Sequence, residues 1–361
     1  PCRAQEYRPN QTTYHPFWAV STKDGGSYTS LGELIPTGTE EELDAALGTG
    51  CTFYDEANKL YYTYYTGHTA DTEVVMRATS TDFKTWSKDR TFFLPGSNDG
   101  YSRKDFRDPF IFESESGKYH MIVSTKKDGI GVLAEYTSTD LKTWEHAGVF
   151  MPMHWGADRF YECADVFKMG DWWYLVFSEY SDGNKTRYRM SKSINGPWIT
   201  PADDSFDGRA YYAARTAFDG ERRVLFGWVP TRDEGDDPSS YLWGGTFMPL
   251  EIVQRADGTL GTKLPDSMLG AFGEGKAVEA FELSCESGKV EQVLSADAGS
   301  TYLLDTDIEL GGNAAGFSVK FAEDAETGLA YEFRANLREG KLEFTPAPQY
   351  PWFQVNNMGL E

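Results

Sequence analysis

The sequence predicts an all-β protein: a β-propeller of four or five blades, followed by part of a β-sandwich. Three observations carry this. First, a segment repeats. Ser80-Thr81-Asp82-Phe83-Lys84-Thr85-Trp86 recurs as Ser138-Thr139-Asp140-Leu141-Lys142-Thr143-Trp144. A degraded copy runs from Ser191 to Trp198, and a fainter one starts at Ser21. The copies begin at residues 21, 80, 138 and 191, so they are 59, 58 and 53 residues apart. That period suits one four-stranded blade per repeat. Second, a strand-like aromatic run precedes the last three copies: Leu60 to Tyr65, Tyr119 to Val123, and Trp172 to Phe177. A further run, Arg223 to Trp228, has no copy after it. Third, the 361 residues include 10 Trp, 21 Tyr, 23 Phe and 36 Gly, a mix that suits strands joined by tight turns.

Along the chain, the Ser-Thr-Asp stretch reads as a turn whose Ser or Asp bonds its own backbone, with the Trp opening an outer strand. Trp86 and Trp144 are then expected to pack between blades. Glu40 to Leu47 is the one stretch expected to form one or two helical turns. After about residue 265 the texture changes. The repeats vanish, and alternating stretches such as Gly316 to Phe321 and Leu329 to Arg334 predict antiparallel strands with one buried face. Residues 1–265 are therefore expected to form the propeller, with an incomplete first blade. Residues 266–361 are expected to form a sandwich that is cut short.

Net charge is −22, which disfavours nucleic acid and anionic membranes as partners. No apolar run approaches the roughly 18–20 residues of a membrane span. Cys2, Cys51, Cys163 and Cys285 are scattered without metal-ligand spacing, so they read as free thiols and no metal is expected. The compartment stays open: the cytoplasm fits, and so does secretion after removal of a signal segment.

Two short carboxylate motifs carry the chemistry. The first is Arg107-Asp108-Pro109-Phe110 and the second is Tyr161-Glu162-Cys163-Ala164-Asp165. Two acids converging on one pocket are the usual machinery for cleaving a glycosidic bond. Pro109 is expected to hold Asp108 extended and to end its ladder pairing, at a strand end that points the acid into a central funnel. Arg107 either turns to the other side or pairs with that acid. Glu162 lies among aromatics, where lost hydration favours the protonated form that a general acid needs. Cys163 reads as a small buried apolar residue rather than a nucleophile, and Asp165 as structural.

These motifs resemble glycoside hydrolase family 32, the β-fructosidases. In that family the Asp of Arg-Asp-Pro stabilises the transition state, and the Glu of Glu-Cys is the acid/base. The resemblance extends to Leu47-Gly48-Thr49-Gly50-Cys51, which matches a small-residue segment lining the sugar pocket. It also extends to Tyr65-Thr66-Gly67-His68, Phe226-Gly227-Trp228, Trp243-Gly244-Gly245, Leu250-Glu251 and Asp257-Gly258-Thr259-Leu260. Leu250 departs from the Arg that often stands there. Coverage is good over residues 14 to 265. The resemblance implies a five-bladed propeller with a following sandwich, and retaining hydrolysis of fructosyl linkages in sucrose or fructans without a cofactor. It assigns Glu162 as acid/base, Asp108 as stabiliser and Arg107 as their support. Gly50, Cys163, Trp228, Trp243 and Trp18 are candidates to contact the sugar, with Trp155 at the rim.

One part of the pattern is missing. The family nucleophile is an Asp on the innermost strand of the first blade, well before the stretch matched by His15-Pro16-Phe17-Trp18-Ala19-Val20-Ser21. Only Glu6 precedes His15 as an acid, and Asp24 comes too late, in a turn. The chain is therefore expected either to begin downstream of the nucleophile strand or to be a degenerate member. The alternatives to a hydrolase are a carbohydrate-binding propeller without the nucleophile, and a fructosyltransferase using the same acids.

Overall fold

The structure is a computed structural model that describes residues 16–153, 160–179, 185–208, 210–232 and 241–347, together with the short strand Cys2–Arg3. For residues 2, 3, 232 and 241–243 it describes the backbone alone. The chain divides into two compact units. One holds residues 1–23 and 27–263, the other residues 24–26 and 264–361.

The first unit is a five-bladed propeller. Blade 1 is a three-stranded sheet of β1 (Cys2–Arg3), β2 (Phe17–Ser21) and β3 (Thr29–Ile35). Blade 2 comprises β4 (Ala46–Asp55), β5 (Leu60–His68), β6 (Glu73–Ser80) and β7 (Ser87–Leu94). Blade 3 comprises β8 (Phe106–Glu113), β9 (Tyr119–Lys127), β10 (Ile130–Ser138) and β11 (Glu145–Pro152). Blade 4 pairs β12 (Glu162–Met169), β13 (Trp172–Glu179) and β14 (Lys185–Ser191), and single bridges to Ile199 and Ser205 extend its outer edge. Blade 5 comprises β15 (Tyr212–Phe218), β16 (Arg223–Arg232), β17 (Tyr241–Gln254) and β18 (Leu260–Lys263). Every pairing is between sequential antiparallel strands, and the first strand of each of blades 2 to 5 lies next to the first strand of its neighbour.

The repeated segment is the turn into the outermost strand. In blade 2, Asp82 Oδ1 accepts the Lys84 and Thr85 N–H groups at 2.8 Å each; in blade 3, Asp140 does the same for Lys142 and Thr143. Such Asx turns satisfy backbone donors that no ladder reaches. The Trp that ends each copy packs towards the preceding blade. Trp144 donates its indole N–H to Tyr64 Oη at 3.0 Å and meets that ring edge-on at 5.6 Å. Trp198 packs on Phe150 at 5.8 Å.

The core lies in the seams between blades. Phe17 and Ile35 of blade 1 pack with Leu47 and Tyr65 of blade 2, and Trp86 covers them. Tyr62 and Tyr64 of blade 2 pack with Phe106, Met121 and Tyr136 of blade 3. Phe112 and Ile122 of blade 3 pack with Val166, Leu175 and Phe177 of blade 4. Blade 4 joins blade 5 through hydrogen bonds: Tyr174 donates to the Gly258 carbonyl at 2.5 Å, and Leu260 N–H donates to Tyr188 Oη at 3.0 Å.

One expectation fails. Residues 40–47 form no helix. Glu42 N–H reaches the Thr39 carbonyl, Ala45 N–H reaches that of Glu42, and Ala46 and Leu47 already belong to β4. Asp44 decides this. It is fully buried, and its carboxylate takes Lys88 Nζ at 2.5 Å and Tyr65 Oη at 3.2 Å, which fixes the segment as a turn folded onto blade 2.

The second unit contributes the short helix α1 (Asp266–Leu269) and one antiparallel sheet in the order β19 (Gly316–Phe321), β20 (Ala330–Asn336), β21 (Lys341–Ala347). These are the alternating stretches read from the sequence, and they are the part of the sandwich seen among the described residues. Residues 271–315 carry no strand or helix.

Candidate active site

The first strand of each of blades 2 to 5 carries the same irregularity near its start. Two residues on that strand face one on its partner, which is a β-bulge. In β4, Gly48 and Thr49 lie between the pairs Leu47–Gly67 and Gly50–Tyr65. In β8, Asp108 and Pro109 lie between Arg107–Ser124 and Phe110–Ile122. In β12, Cys163 and Ala164 lie between Glu162–Ser178 and Asp165–Val176. In β15, Ala213 and Ala214 lie between Tyr212–Trp228 and Arg215–Phe226. Asp108, Cys163 and Ala213 all take left-handed backbone, with φ of 60°, 52° and 54°. This corrects the extended geometry expected for Asp108 before a proline. The bulge overrides the pre-proline preference, at a cost of about 1–2 kcal/mol per residue for a side chain in this region.

The bulges are stitched together across blades. Cys163 N–H donates to Asp108 Oδ2 at 2.8 Å. Asp108 N–H donates to Thr66 Oγ1 at 3.0 Å, and Thr66 Oγ1 donates to the Thr49 carbonyl at 3.0 Å. Asp108 is therefore buried, with one carboxylate oxygen fixed by the next blade and its own amide fixed by the previous one. Burial pushes the Cys163 thiol well up, and the nearby Asp108 charge adds to this, so thiolate chemistry is disfavoured there.

The residues just before the bulges converge. Arg107 Nη2 donates to Glu162 Oε1 at 3.0 Å, and Tyr212 Oη donates to Glu162 Oε2 at 2.5 Å. Glu162 thus holds one hydrogen bond on each oxygen, from blades 3 and 5. Arg107 is the centre of the group. Its Nη1 meets Glu73 Oε2 at 3.1 Å and Asp105 Oδ1 at 3.5 Å, and its guanidinium lies 4.3 Å from the Phe160 ring. Burial opposes the Arg107 charge, but Glu73, Asp108 and Glu162 outweigh it and hold the guanidinium firmly protonated. Burial pushes the Glu73 carboxyl up, against the pull of Arg107 and of the Phe106 N–H. Burial also raises Tyr212, and the Glu162 carboxylate reinforces the shift, so the phenol stays a donor.

One step deeper lies a polar layer. Arg215 donates to the carbonyls of Gly50 at 2.9 Å, Pro109 at 3.2 Å and Asp108 at 2.8 Å, which ties three blades to one guanidinium. Gly50 is required there, since a Cβ would lie 2.4 Å from the Tyr64 carbonyl and 2.9 Å from Tyr65 Cα. Asp165 is fully buried and accepts the Thr216 N–H at 2.5 Å.

The structure therefore brings Arg107, Asp108, Glu162 and Cys163 together, and sets Gly50 beneath them. Arg107 pairs with Glu162 and Glu73 rather than with Asp108. Trp228 is half-buried and packs on Tyr212 at 5.4 Å, which places it beside Glu162. Trp18 is 40% exposed on β2, opposite Phe17 and Ala19, and takes no part in the contacts around Arg107. The side chain of Trp243 and the whole of Trp155 lie outside the described residues, as do Glu6 and His15. Tyr212, Glu73 and Arg215 escaped the sequence reading. For Tyr212 and Arg215 the signal was positional: Tyr212-Ala213-Ala214-Arg215 precedes its aromatic run at nearly the distance of the two acid motifs. Among the described residues, no group of three His, Cys, Asp or Glu side chains stands close enough to hold a metal ion. Cys51, Cys163 and Cys285 are free thiols.

A sequence model of the glycosyl hydrolases family 32 N-terminal domain matches residues 5–257. The chain belongs to glycosyl hydrolase family 32. Among curated family relatives, a sucrose-6-phosphate hydrolase of Vibrio alginolyticus is 25% identical over 275 residues, covering 69% of this chain and 55% of that protein. A levanase of Bacillus subtilis is 27% identical over 261 residues, covering 64% of this chain and 37% of that protein. The family 32 chain thus spans about half or less of the length of these relatives. Among solved structures, a sucrose-6-phosphate hydrolase of Lactobacillus gasseri superposes with a TM-score of 0.70 at 18% identity, over 97% of this chain and 73% of that one. A Bombyx mori β-fructofuranosidase in complex with sucrose gives 0.64 at 16%, over 97% and 76%. These likenesses support the propeller-and-sandwich fold.

Proposed function

We propose that this site cleaves fructosyl linkages with retention, with a sucrose or fructan sugar as substrate. The observation that carries the proposal is the placement of Glu162 beside Asp108 on neighbouring strands, each fixed by side chains or amides of other blades. Glu162 is the acid/base. It protonates the departing sugar oxygen as the family's first-blade carboxylate, which is not among the described residues, bonds to the anomeric carbon; it then takes a proton from the water that displaces that carboxylate and releases the sugar. Arg107 and Tyr212 hold its two oxygens, so the carboxyl keeps one orientation through both steps. Asp108 is the stabiliser. Its fixed carboxylate meets sugar hydroxyls and the charge of the oxocarbenium ion without having to reorganise. Trp228, beside Tyr212, offers an aromatic face to the sugar ring. The curated relatives include a sucrose-6-phosphate hydrolase and a levanase, and one neighbouring structure holds sucrose, which supports this substrate class.

A second reading is a carbohydrate-binding propeller. It is favoured by one observation: the nucleophilic Asp of a first blade is not among the described residues. Of the acids near blade 1, Glu33 is exposed on β3, and Asp24 accepts the Gly26 N–H in a turn. The test is incubation with sucrose, inulin and levan, alongside Glu162→Gln. Fructose release that drops by about 10²–10⁴ in the variant is the expected result. No release, with saturable fructose binding by calorimetry, would establish the binding reading instead.

A further inference from the structure

The guanidinium of Arg107 serves two glutamates, and only one of them has been given a role. Glu73 opens β6 in blade 2 and is largely buried. Its Oε2 accepts the Phe106 N–H at 2.8 Å and meets Arg107 Nη1 at 3.1 Å, while its Oε1 stands 3.3 Å from the same nitrogen. It therefore does two things at once. It pins the first residue of β8, the strand that carries Arg107 and Asp108. It also takes up one half of the guanidinium, whose other half donates to Glu162.

We propose that Glu73 is a positioning residue for the acid/base: it competes with Glu162 for Arg107 and so limits how strongly that cation favours the ionised form of Glu162. This rests on the acid/base role of Glu162 given above. The charge arithmetic has one sign. Removing the Glu73 charge deletes a nearby negative group and leaves Arg107 shared between Glu162 and the more distant Asp105 alone. Both changes favour the carboxylate over the carboxylic acid. A general acid so treated would be deprotonated, and idle, at a lower pH.

The groups facing this set are few. Asp105 Oδ1 lies 3.5 Å from Arg107 Nη1 and is itself paired with Lys126 at 3.3 Å. Lys126 and Arg107 both lie over the Phe160 ring. Tyr212 holds the other oxygen of Glu162, and Asp108 and the Cys163 thiol sit beside it. Of these, Asp105, Lys126, Tyr212, Asp108 and Cys163 make no hydrogen bond to the Glu73 carboxylate, whose bonds go to Phe106 and Arg107.

The test is a ¹³C-detected titration of glutamate carboxyls in the whole chain, with the Glu162 signal identified by its loss in Glu162→Gln. Glu73→Gln keeps an oxygen to accept the Phe106 N–H but removes the charge. The expected result is a fall of about one pH unit in the Glu162 midpoint. Glu73→Asp, which keeps the charge but withdraws it by one methylene, should move the midpoint the same way by less, and it serves if the Gln variant does not fold. Where fructose is released, the alkaline limb of kcat/KM should move down with the midpoint. A Glu162 midpoint unmoved in a folded variant overturns the inference, whether or not the protein turns over sugar. Absence of turnover bears on the proposed function alone, because the titration does not need it.

Discussion

Asp165 is an acid in a place that does not suit its charge. It is fully buried, it accepts a single backbone N–H, and its other oxygen has no partner among the described residues. Burial raises its carboxyl, and Arg223 with the Thr216 N–H only partly opposes this. Its folded form therefore binds its proton more tightly than the unfolded chain does. The associated stability is present below the ordinary carboxylate range and is lost as pH rises through the raised value. We expect Asp165→Asn to gain stability relative to the wild type as pH rises above the ordinary carboxylate range of about 4, with no change in the difference at lower pH. Urea unfolding at several pH values measures this. Gly50 makes a simpler residue-scale case. Any Cβ meets backbone of β5, so Gly50→Ala should cost about 1–3 kcal/mol in the same assay.

At the scale of the element, the bulges matter more than the strands that carry them. Arg215, just past the bulge of β15, holds both carbonyls of the β8 bulge and the Gly50 carbonyl that follows the β4 bulge. Arg215→Met keeps the packing volume but strips those carbonyls of a charged donor, and should cost about 1.5–3 kcal/mol. Arg215→Lys should recover part of it, since one ammonium cannot reproduce the fork. Denaturant midpoints separate the three proteins. The same elements show what sequence can disclose. The Ser-Thr-Asp turns were legible because a short polar motif must satisfy its own backbone, and it does so identically in blades 2 and 3. The two acids were legible because Pro109 and Cys163 gave them distinctive neighbours. The bulges were not. Their residues are Gly-Thr, Asp-Pro, Cys-Ala and Ala-Ala, which share no chemistry, and what they share is a two-on-one register that only pairing reveals. Glu73 was hidden for a related reason. It opens an ordinary strand after a polar turn and acquires its role from a blade whose Arg107 lies 34 residues further along. The segment at residues 40–47 misled in the opposite direction, because its acidic residues suit a helix while Asp44 folds inward instead.

For the whole molecule, charge and seams set the terms. A net charge of −22 repels itself in the compact state. At physiological salt, repulsion between exposed charges more than about 8 Å apart is largely screened, so the melting temperature should rise between low salt and about 0.15 M, and scanning fluorimetry would show it. A melting temperature that falls over this range would mean that exposed attractive pairs such as Lys59–Glu56 outweigh the repulsion. The repeat limited the propeller to four or five blades, because each blade spends one period of sequence, and the family resemblance implied the five that the fold has. The second unit was readable only as alternating strands, since its sheet holds no motif comparable with the Ser-Thr-Asp turn.

The left-handed residue at the start of blades 3, 4 and 5 has a further meaning. The backbone there is one device used three times, with aspartate, cysteine and alanine seated in it. Two of these seats bond a neighbouring blade, Cys163 through its amide to Asp108 and Asp108 through its amide to Thr66. The floor of the funnel therefore works as a row of interchangeable sockets. The side chains that converge, Arg107, Glu162 and Tyr212, stand one residue before these seats, so a repeated backbone frame aims three different groups at one place.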